Sequence, residues 1–173
     1  ERDAPAVARP PRRGAVAPAP RPRPGLSRVL FFSAGVTRRA RMVGGRPLFF
    51  RAAASAGALY PIEVYVVCGD LPGLRAGVYH FNPIEFALRR LRAGDHRPFL
   101  AWAAADGAIC GAPVTLVLSG IPWRTTWKYG ERGYRHLFWD SGAVLANVLA
   151  LTEVAGSTSR VLTGFVDDDV SHL

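Results

Sequence analysis

The segment WRTTWKYGERGYRHLFWD, residues 123–140, brings Trp, Tyr and Arg side chains together around a Lys and a Glu. Ordering long charged and aromatic side chains costs conformational entropy, which only contacts can recover. A segment of this composition is therefore more typical of a site or an interface than of a simple connection. A charged surface turn before a long helix is the alternative interpretation.

A second unusual segment is AAASAGALYPIEVYVV, residues 52–67, in which small residues precede an ordinary apolar strand. Small side chains and a Gly allow the backbone to approach a ligand or another backbone closely. The segment therefore predicts a close approach of the chain either to a flat or phosphorylated ligand or to another backbone. A tight turn into a strand, with no ligand, is the alternative.

Elements that would position these segments can be predicted from apolar periodicity. A short helix follows the first Pro-rich stretch and ends at Gly35, and residues 37–51, with five Arg and two adjacent Gly, predict a basic mobile loop. Residues 63–69 have the composition of a buried strand, and residues 76–95 that of a hairpin. The core positions expected in that hairpin are Val78, Phe81, Leu88 and Leu91.

The second half of the chain predicts a helix over 97–107, a buried strand over 112–121 and then a long helix. From Tyr134 to Ala155 the residues are apolar or small with few charges, so this helix, about 33 Å long, is expected to be covered on most sides. Residues 159–165 predict a short strand, and the acidic run at 167–169 predicts the start of a helix.

Length and composition predict one domain, residues 26–173, after a Pro- and Arg-rich arm, residues 1–25. That arm supplies about four of the nine net positive charges, so a solvated linker is expected and no nucleic-acid partner. Cys68 and Cys110 each lie in an apolar run and are expected to be buried thiols in a reducing compartment, with no metal. No apolar run approaches a membrane span, so a cytoplasmic protein without a membrane partner is expected.

Four segments in order, SAGALYPIEVYVV, GVYHFNP, WKYGERGYR and GFVDDDV, resemble the nitroreductase-like flavoproteins and, within them, the SagB-type azoline dehydrogenases. This resemblance runs from about Leu26 to the end of the sequence. It implies an α+β fold, an antiparallel-rich sheet flanked by helices with a long central helix, and FMN held at a homodimer interface. No segment of this sequence matches the C-terminal strand or arm that is usual in the family.

Site residues follow from the resemblance only. It implies that the small-residue segment lies beside FMN, with Ser55 supplying a hydroxyl and Ala56, Gly57, Ala58 and Leu59 supplying backbone. It places Asn147 and Gly164 among the further cofactor-binding residues. For the FMN phosphate, the nearest match to the family's Arg-rich pattern is Arg12 and Arg13, and the alternatives are Arg38, Arg39 and Arg41.

The catalytic residues implied by the resemblance are Lys128 and Tyr129. Converting an azoline ring to an azole removes a ring proton and a hydride, so a protein base is required beside the flavin. The expected function is therefore oxidation of azoline rings in a peptide substrate, with partner biosynthetic enzymes. A general nitro or quinone reductase that uses a nicotinamide cofactor, and a non-catalytic flavin-fold scaffold, are the alternatives.

Overall fold

The computed structural model of the chain describes residues 24–42 and 44–173, so residues 1–23 of the predicted arm, with Arg12 and Arg13, lie outside the described residues. The described helices are α1 Pro24–Ala34, α2 Arg97–Ala103, α3 Ala108–Gly111, α4 Trp123–Tyr129, α5 Gly133–Val154 and α6 Asp167–Ser171. The strands are β1 Val36–Arg41, β2 Pro47–Arg51, β3 Ile62–Cys68, β4 Gly77–Asn82, β5 Ala87–Ala93 and β6 Val114–Gly120.

Four strands form one antiparallel sheet in the order β5-β4-β3-β6, with apolar residues on both faces. Side chains alternate along β3, so Val64, Val66 and Cys68 pack with α1 while Val67 packs with α2 and α3 on the other face. Burial on both faces explains why β3 has an almost continuous apolar sequence. This architecture confirms the predicted α+β fold with helices against an antiparallel sheet.

Residues 37–51, predicted as a mobile loop, form most of a β-hairpin instead. Gly44 and Gly45 have φ of 93° and 80°, which makes the tight reversal between β1 and β2 possible. Arg38 and Arg39 lie over the rings of Phe50 and Phe49 on the facing strand. These cross-strand pairs order side chains that the composition alone assigned to a loop.

The long helix is predicted correctly in position but not in burial. Along α5 only Gly133, Leu137, Asp140 and Val144 are buried, although the helix packs against α1 and α4. By length and composition, the stretch Trp123–Val154 contains a window apolar enough to cross a bilayer, a test that the core helix of a water-soluble protein also passes. The described residues cover one side of the helix and leave its aromatic side exposed.

Three further expectations are wrong. Leu91 is exposed, because β5 is the edge strand of the sheet and its outer face has no helix against it among the described residues. Cys110 is also exposed, because it lies in the short surface helix α3, whereas Cys68 is buried as expected. Residues 159–165 form no strand, since no described strand lies beside them to pair with.

Candidate functional site

The small-residue segment is anchored to the long helix through one carboxylate. The Ser55 hydroxyl donates a hydrogen bond to Oδ2 of Asp140 at 2.5 Å, and the Ala56 N–H donates to Oδ1 at 3.3 Å. Ser55 Oγ also accepts a hydrogen bond from the Tyr60 N–H at 2.8 Å. Since Asp140 is buried, these bonds satisfy its charge and fix the loop to α5.

The same loop contains a run of left-handed backbone conformations. Gly57 has φ of 62°, and Ala58 and Tyr60, which carry side chains, have φ of 54° and 48°. Such conformations are unfavourable for residues other than Gly and persist only where neighbouring contacts hold them. Tyr60 has those contacts, because its hydroxyl accepts the Arg51 N–H at 2.9 Å and the Arg51 guanidinium lies 5.0 Å from its ring centroid.

Helix α4 brings Lys128 and Tyr129 against this loop. A Cβ added at Gly57 would lie 2.7 Å from Lys128 Nζ and 2.7 Å from the Tyr129 hydroxyl. A side chain at position 57 would therefore require the amine and the phenol to move away from the places that they occupy beside the loop. Lys128 is also the single lysine of the sequence, among 22 basic residues.

Tyr129 lies between a cation and a second ring. The Lys128 ammonium is 5.3 Å from the centroid of the Tyr129 ring. The ring of His136, in α5, is centred 4.5 Å from the same centroid. Trp139 packs edge-on against His136, with centroids 5.0 Å apart. An amine and a phenol therefore lie beside the exposed Gly57, and an imidazole packs against the ring of the phenol.

Behind the loop lies a cluster of charges centred on Glu63 of β3. The Glu63 carboxylate accepts a hydrogen bond from His80 of β4 at 2.7 Å and forms an ion pair with Arg124 of α4. Arg124 also donates to the Tyr60 carbonyl at 3.0 Å, and Arg51 donates to the Ile62 carbonyl at 3.1 Å. Arg124 is one helical turn before Lys128, so the cluster fixes α4 relative to the loop.

The electrostatics of this cluster favour an ionised carboxylate. Burial alone would raise the pKa of Glu63, but hydrogen bonds from His80 and Arg124 and the charges of Arg124 and Arg51 lower that pKa to about 2. Burial lowers the pKa of Arg51, and the nearby Glu63 opposes that change. The cluster is therefore a stable ionic support for the loop.

The structure brings some of the predicted site residues together and separates others. Ser55, Ala56 and Gly57 lie in one loop beside Lys128 and Tyr129, and Leu59 follows them. Asn147 is half-buried on α5, two turns beyond the carboxylate that anchors the loop.

Gly164 is not in contact with this loop. A Cβ added there would meet nothing within 4 Å among the described residues. The segment around Gly164 lies beside α2 instead, since the Val166 N–H donates to the Ala103 carbonyl at 2.9 Å.

Three residues of this site were not predicted from the sequence: Glu63, Arg124 and His136. The first carries a usable signal, because a carboxylate within an otherwise apolar strand requires a buried partner. The spacing of seven between Tyr129 and His136 also indicates a shared side if the connection is helical. Nothing in the sequence pairs Glu63 with Arg124, since strand and helix meet only in the folded chain.

The described chain has an antiparallel sheet flanked by helices, and its small-residue loop lies against the helical segment 123–154. The chain belongs to the nitroreductase family, since the sequence model of that family matches residues 31–173. This confirms the family to which the four sequence segments were assigned. It makes the chain a member of an oxidoreductase family.

Three characterised or named relatives share this similarity. The chain is 32% identical to MJ1384 of Methanocaldococcus jannaschii, named as a nitroreductase, over 86% of this chain and 71% of that protein. It is 30% identical to the microcin B17-processing protein McbC of Escherichia coli and 29% identical to the trifolitoxin-processing protein TfxB of Rhizobium leguminosarum bv. trifolii. Those alignments cover 68% and 76% of this chain but only 45% and 37% of McbC and TfxB.

Solved structures give the same fold. A nitroreductase-type protein of Anabaena variabilis superposes with a TM-score of 0.80 at 32% identity, over 86% of this chain and 30% of that one. A chain of the E. coli microcin synthetase McbBCD complex, solved with truncated pro-MccB17 bound, superposes with a TM-score of 0.65 at 23% identity. That match covers 85% of this chain and 55% of the other, and at this identity it supports the fold alone.

Proposed function

We propose that this chain is part of an FMN-dependent dehydrogenase that oxidises azoline rings to azoles in a peptide substrate. The observation that carries the proposal is the contact of Lys128 and Tyr129 with Gly57. It places an amine and a phenol beside an exposed loop of small residues, where a flat cofactor and a ring substrate can approach. The processing roles in the names of McbC and TfxB support a peptide substrate.

The residues of the loop fit FMN. Ala54 and Gly57 are exposed, and no side chain larger than a hydroxymethyl group occurs from Ala52 to Ala58, so a planar ring can approach the backbone. Ser55, Ala56, Gly57 and Leu59 would hold it from this loop, with Asn147 and Gly164 as further expected contacts and Arg12 and Arg13 for the phosphate. Ser55 has one acceptor position left, because its hydroxyl already binds Asp140 and Tyr60. FMN, when bound, supplies the two-electron acceptor for the hydride of the azoline ring.

The chain's own residues handle the proton. Tyr129 or Lys128 takes the acidic ring proton that lies next to a carbonyl group in the azoline, and the neighbouring cation stabilises a phenolate. The His136 ring, centred 4.5 Å from the Tyr129 ring, packs against the phenol and helps to hold it in position. The Glu63–Arg124 pair holds α4 and thus the direction of both side chains.

A homodimer fits the exposed aromatic side of the helices α4 and α5. Five large aromatic residues there are more than half exposed: Trp123, Trp127, Tyr134, Phe138 and Trp139. An exposed aromatic patch of this kind marks an interaction surface. We therefore infer that a second copy covers it, in a cytoplasmic protein, rather than a bilayer. Partner biosynthetic enzymes follow by analogy with the complex named for McbC.

A general nitro or quinone reductase is the second candidate. The observation in its favour is the exposure of the Lys128 side chain, since an amine that faces bulk solvent is not enclosed in a pocket that would hold a ring substrate against it. The name of MJ1384, whose alignment covers 86% of this chain, agrees with it. Reduction of a nitro group takes its protons from solvent, so this function does not need the Lys–Tyr pair.

The test combines cofactor loading with two activities. The purified protein should carry FMN or quench its fluorescence on titration, and absence of binding would leave only a non-catalytic scaffold. With an azoline peptide, Lys128→Ala and Tyr129→Phe should each slow azole formation by about two orders of magnitude, measured by mass spectrometry as loss of two hydrogens.

Tyr134→Phe makes the same chemical change on the exposed side of α5 and is the matched control, with full activity expected. Flavin content should be equal in all variants. Nitro reduction that survives all three substitutions, together with no azole formation by the wild type, would favour the second candidate and end the first.

A further inference from the structure

A groove of about 260 Å³ lies beside the loop, on the side away from Asp140. Its walls are the β1–β2 hairpin, the loop residues 58–60, the turn between β4 and β5 at Ile84, and Arg124 of α4. Most of the lining is apolar, including Val36, Leu48, Phe49, Leu59 and Ile84. A groove of this size and lining accommodates two or so apolar side chains of a larger ligand rather than a whole small molecule.

The hairpin presents two arginines to this groove. Residues that pair across β1 and β2 share a face, so Arg39 lies with Phe49 and Arg41 lies with Pro47. Phe49 and Pro47 line the groove, as does the neighbouring Leu48, and Arg39 lies over the Phe49 ring and donates from Nη2 to the carbonyl of Ile84 at 3.3 Å, which places Arg39 on the groove side. Arg38 pairs with Phe50 and lies on the opposite face.

The charge around the groove is strongly positive. Arg124 and Arg51 also line it; Arg124 forms an ion pair with the buried Glu63, whose charge also acts on the nearby Arg51. Arg39 and Arg41 are exposed, and no ion pair between described residues includes either of them. Two uncompensated guanidinium groups at the rim of an apolar groove favour a ligand with carboxylates beside apolar groups.

The backbone around the groove favours an extended ligand. β1 and β2 form a sheet of two strands, so each described strand has one edge without a strand partner. An extended peptide can pair with such an edge while its side chains enter the neighbouring pocket. The groove residues Ala58 and Leu59 directly follow Gly57, so a peptide bound here continues toward Lys128 and Tyr129.

We propose that this groove binds an acidic, partly apolar segment of the peptide substrate, with its carboxylates on Arg39 and Arg41. The proposal rests on the proposed peptide-oxidising function and adds to it a docking site and the composition that the site selects. It assigns to the hairpin the task of holding the substrate, while the loop and α4 hold the reacting groups.

The test uses the full chain loaded with FMN and a fluorescein-labelled peptide of about ten residues that carries an Asp-Glu pair beside Leu, with a matched peptide carrying Asn-Gln. Fluorescence anisotropy should give tighter binding of the acidic peptide by about tenfold or more, and the difference should shrink as salt rises. Arg39→Glu together with Arg41→Glu should remove the preference.

Arg38→Glu is the matched control, because its guanidinium also lies over a Phe, at 5.6 Å against 5.7 Å for Arg39, but on the other face. The preference should persist in that variant. With an azoline placed after the acidic segment, the double variant should raise KM by about tenfold and leave kcat close to the wild-type value.

Four results would overturn the proposal. In the binding assay, these are equal binding of the two peptides and equal loss of the preference in the Arg38→Glu control. In the kinetic assay, they are an effect of the double variant on kcat without an effect on KM, and loss of FMN from the double variant. Loss of FMN would make the arginines a phosphate site. The proposed function fails separately, and recognisably, if the wild type forms no azole from either peptide although it binds the acidic one.

Discussion

Replacement of Glu63 by Gln tests the support behind the loop most directly. Glu63 is 9% exposed and is surrounded by His80, Arg124 and Arg51. Its pKa falls from the ordinary 4.5 to about 2, so the folded protein binds its proton less readily than the unfolded chain does. The stabilisation from this group is therefore complete above about pH 4.5 and is lost as the pH falls toward about 2.

The magnitude follows from the pKa difference. Since one pKa unit corresponds to about 1.4 kcal/mol, the difference between 4.5 and about 2 corresponds to about 3 kcal/mol of unfolding free energy. At neutral pH, Glu63→Gln should cost about 3 kcal/mol or more, because it leaves Arg124 without its carboxylate. The variant should also lose that part of the acid dependence between pH 4.5 and about 2.

Urea unfolding, followed by Trp fluorescence at several pH values from 7 downward, measures both effects. Glu85→Gln is the matched control, since Glu85 pairs with Arg89 on the surface, where its side chain is 54% exposed. That control should lose less than about 1 kcal/mol and keep the wild-type acid dependence. The reasoning is refuted if Glu63→Gln costs no more than the control, or if its stability falls with acid as steeply as in the wild type.

Three further predictions follow from the loop, its anchor and the thiols. Gly57→Ala should slow azole formation at least about tenfold, because its methyl group would lie 2.7 Å from both proposed catalytic groups; initial rates measure this. Gly73→Ala, at φ of 82° with nothing within 4 Å, introduces similar backbone strain and should leave the rate unchanged. Asp140→Asn should lower the unfolding free energy by about 1–3 kcal/mol in urea titrations, since the amide has one acceptor oxygen where the carboxylate has two, so one of the two loop hydrogen bonds loses its acceptor. Cys110 should react with a thiol reagent in the native protein, whereas burial, which also raises the pKa of Cys68, should protect that thiol until unfolding; equal reaction rates of the two would contradict the fold.

The sequence by itself determined most of the main sheet and the helices that flank it. Strands β3 and β6 are short apolar runs, and the hairpin of β4 and β5 alternates around an Asn-Pro turn, so local composition was enough to find them. The start of α6 was likewise visible in its three Asp residues. These patterns are local consequences of backbone geometry and burial on one or two faces.

Only the tertiary structure decided what lies against each element. The Arg-rich stretch 37–51 became a hairpin because its cations lie over aromatic rings on the facing strand, a contact that composition does not reveal. Leu91 lies on an edge strand, at the bulge where the pairing of β4 and β5 shifts register, and is exposed. The order of the strands decides which strand lies at the edge of the sheet. That order depends on contacts between distant parts of the chain, so the local pattern of apolar residues does not encode it.

The candidate site divides in the same way. Its two unusual segments and the residues Ser55, Lys128 and Tyr129 were identified from residue types and from family resemblance. Their meeting at Gly57, and the support from Glu63 and Arg124, arise only when α4 packs across the end of β3. A buried ion pair forms between residues far apart in the chain because each charge must find a partner once folding removes water, and that choice is made by the packed fold.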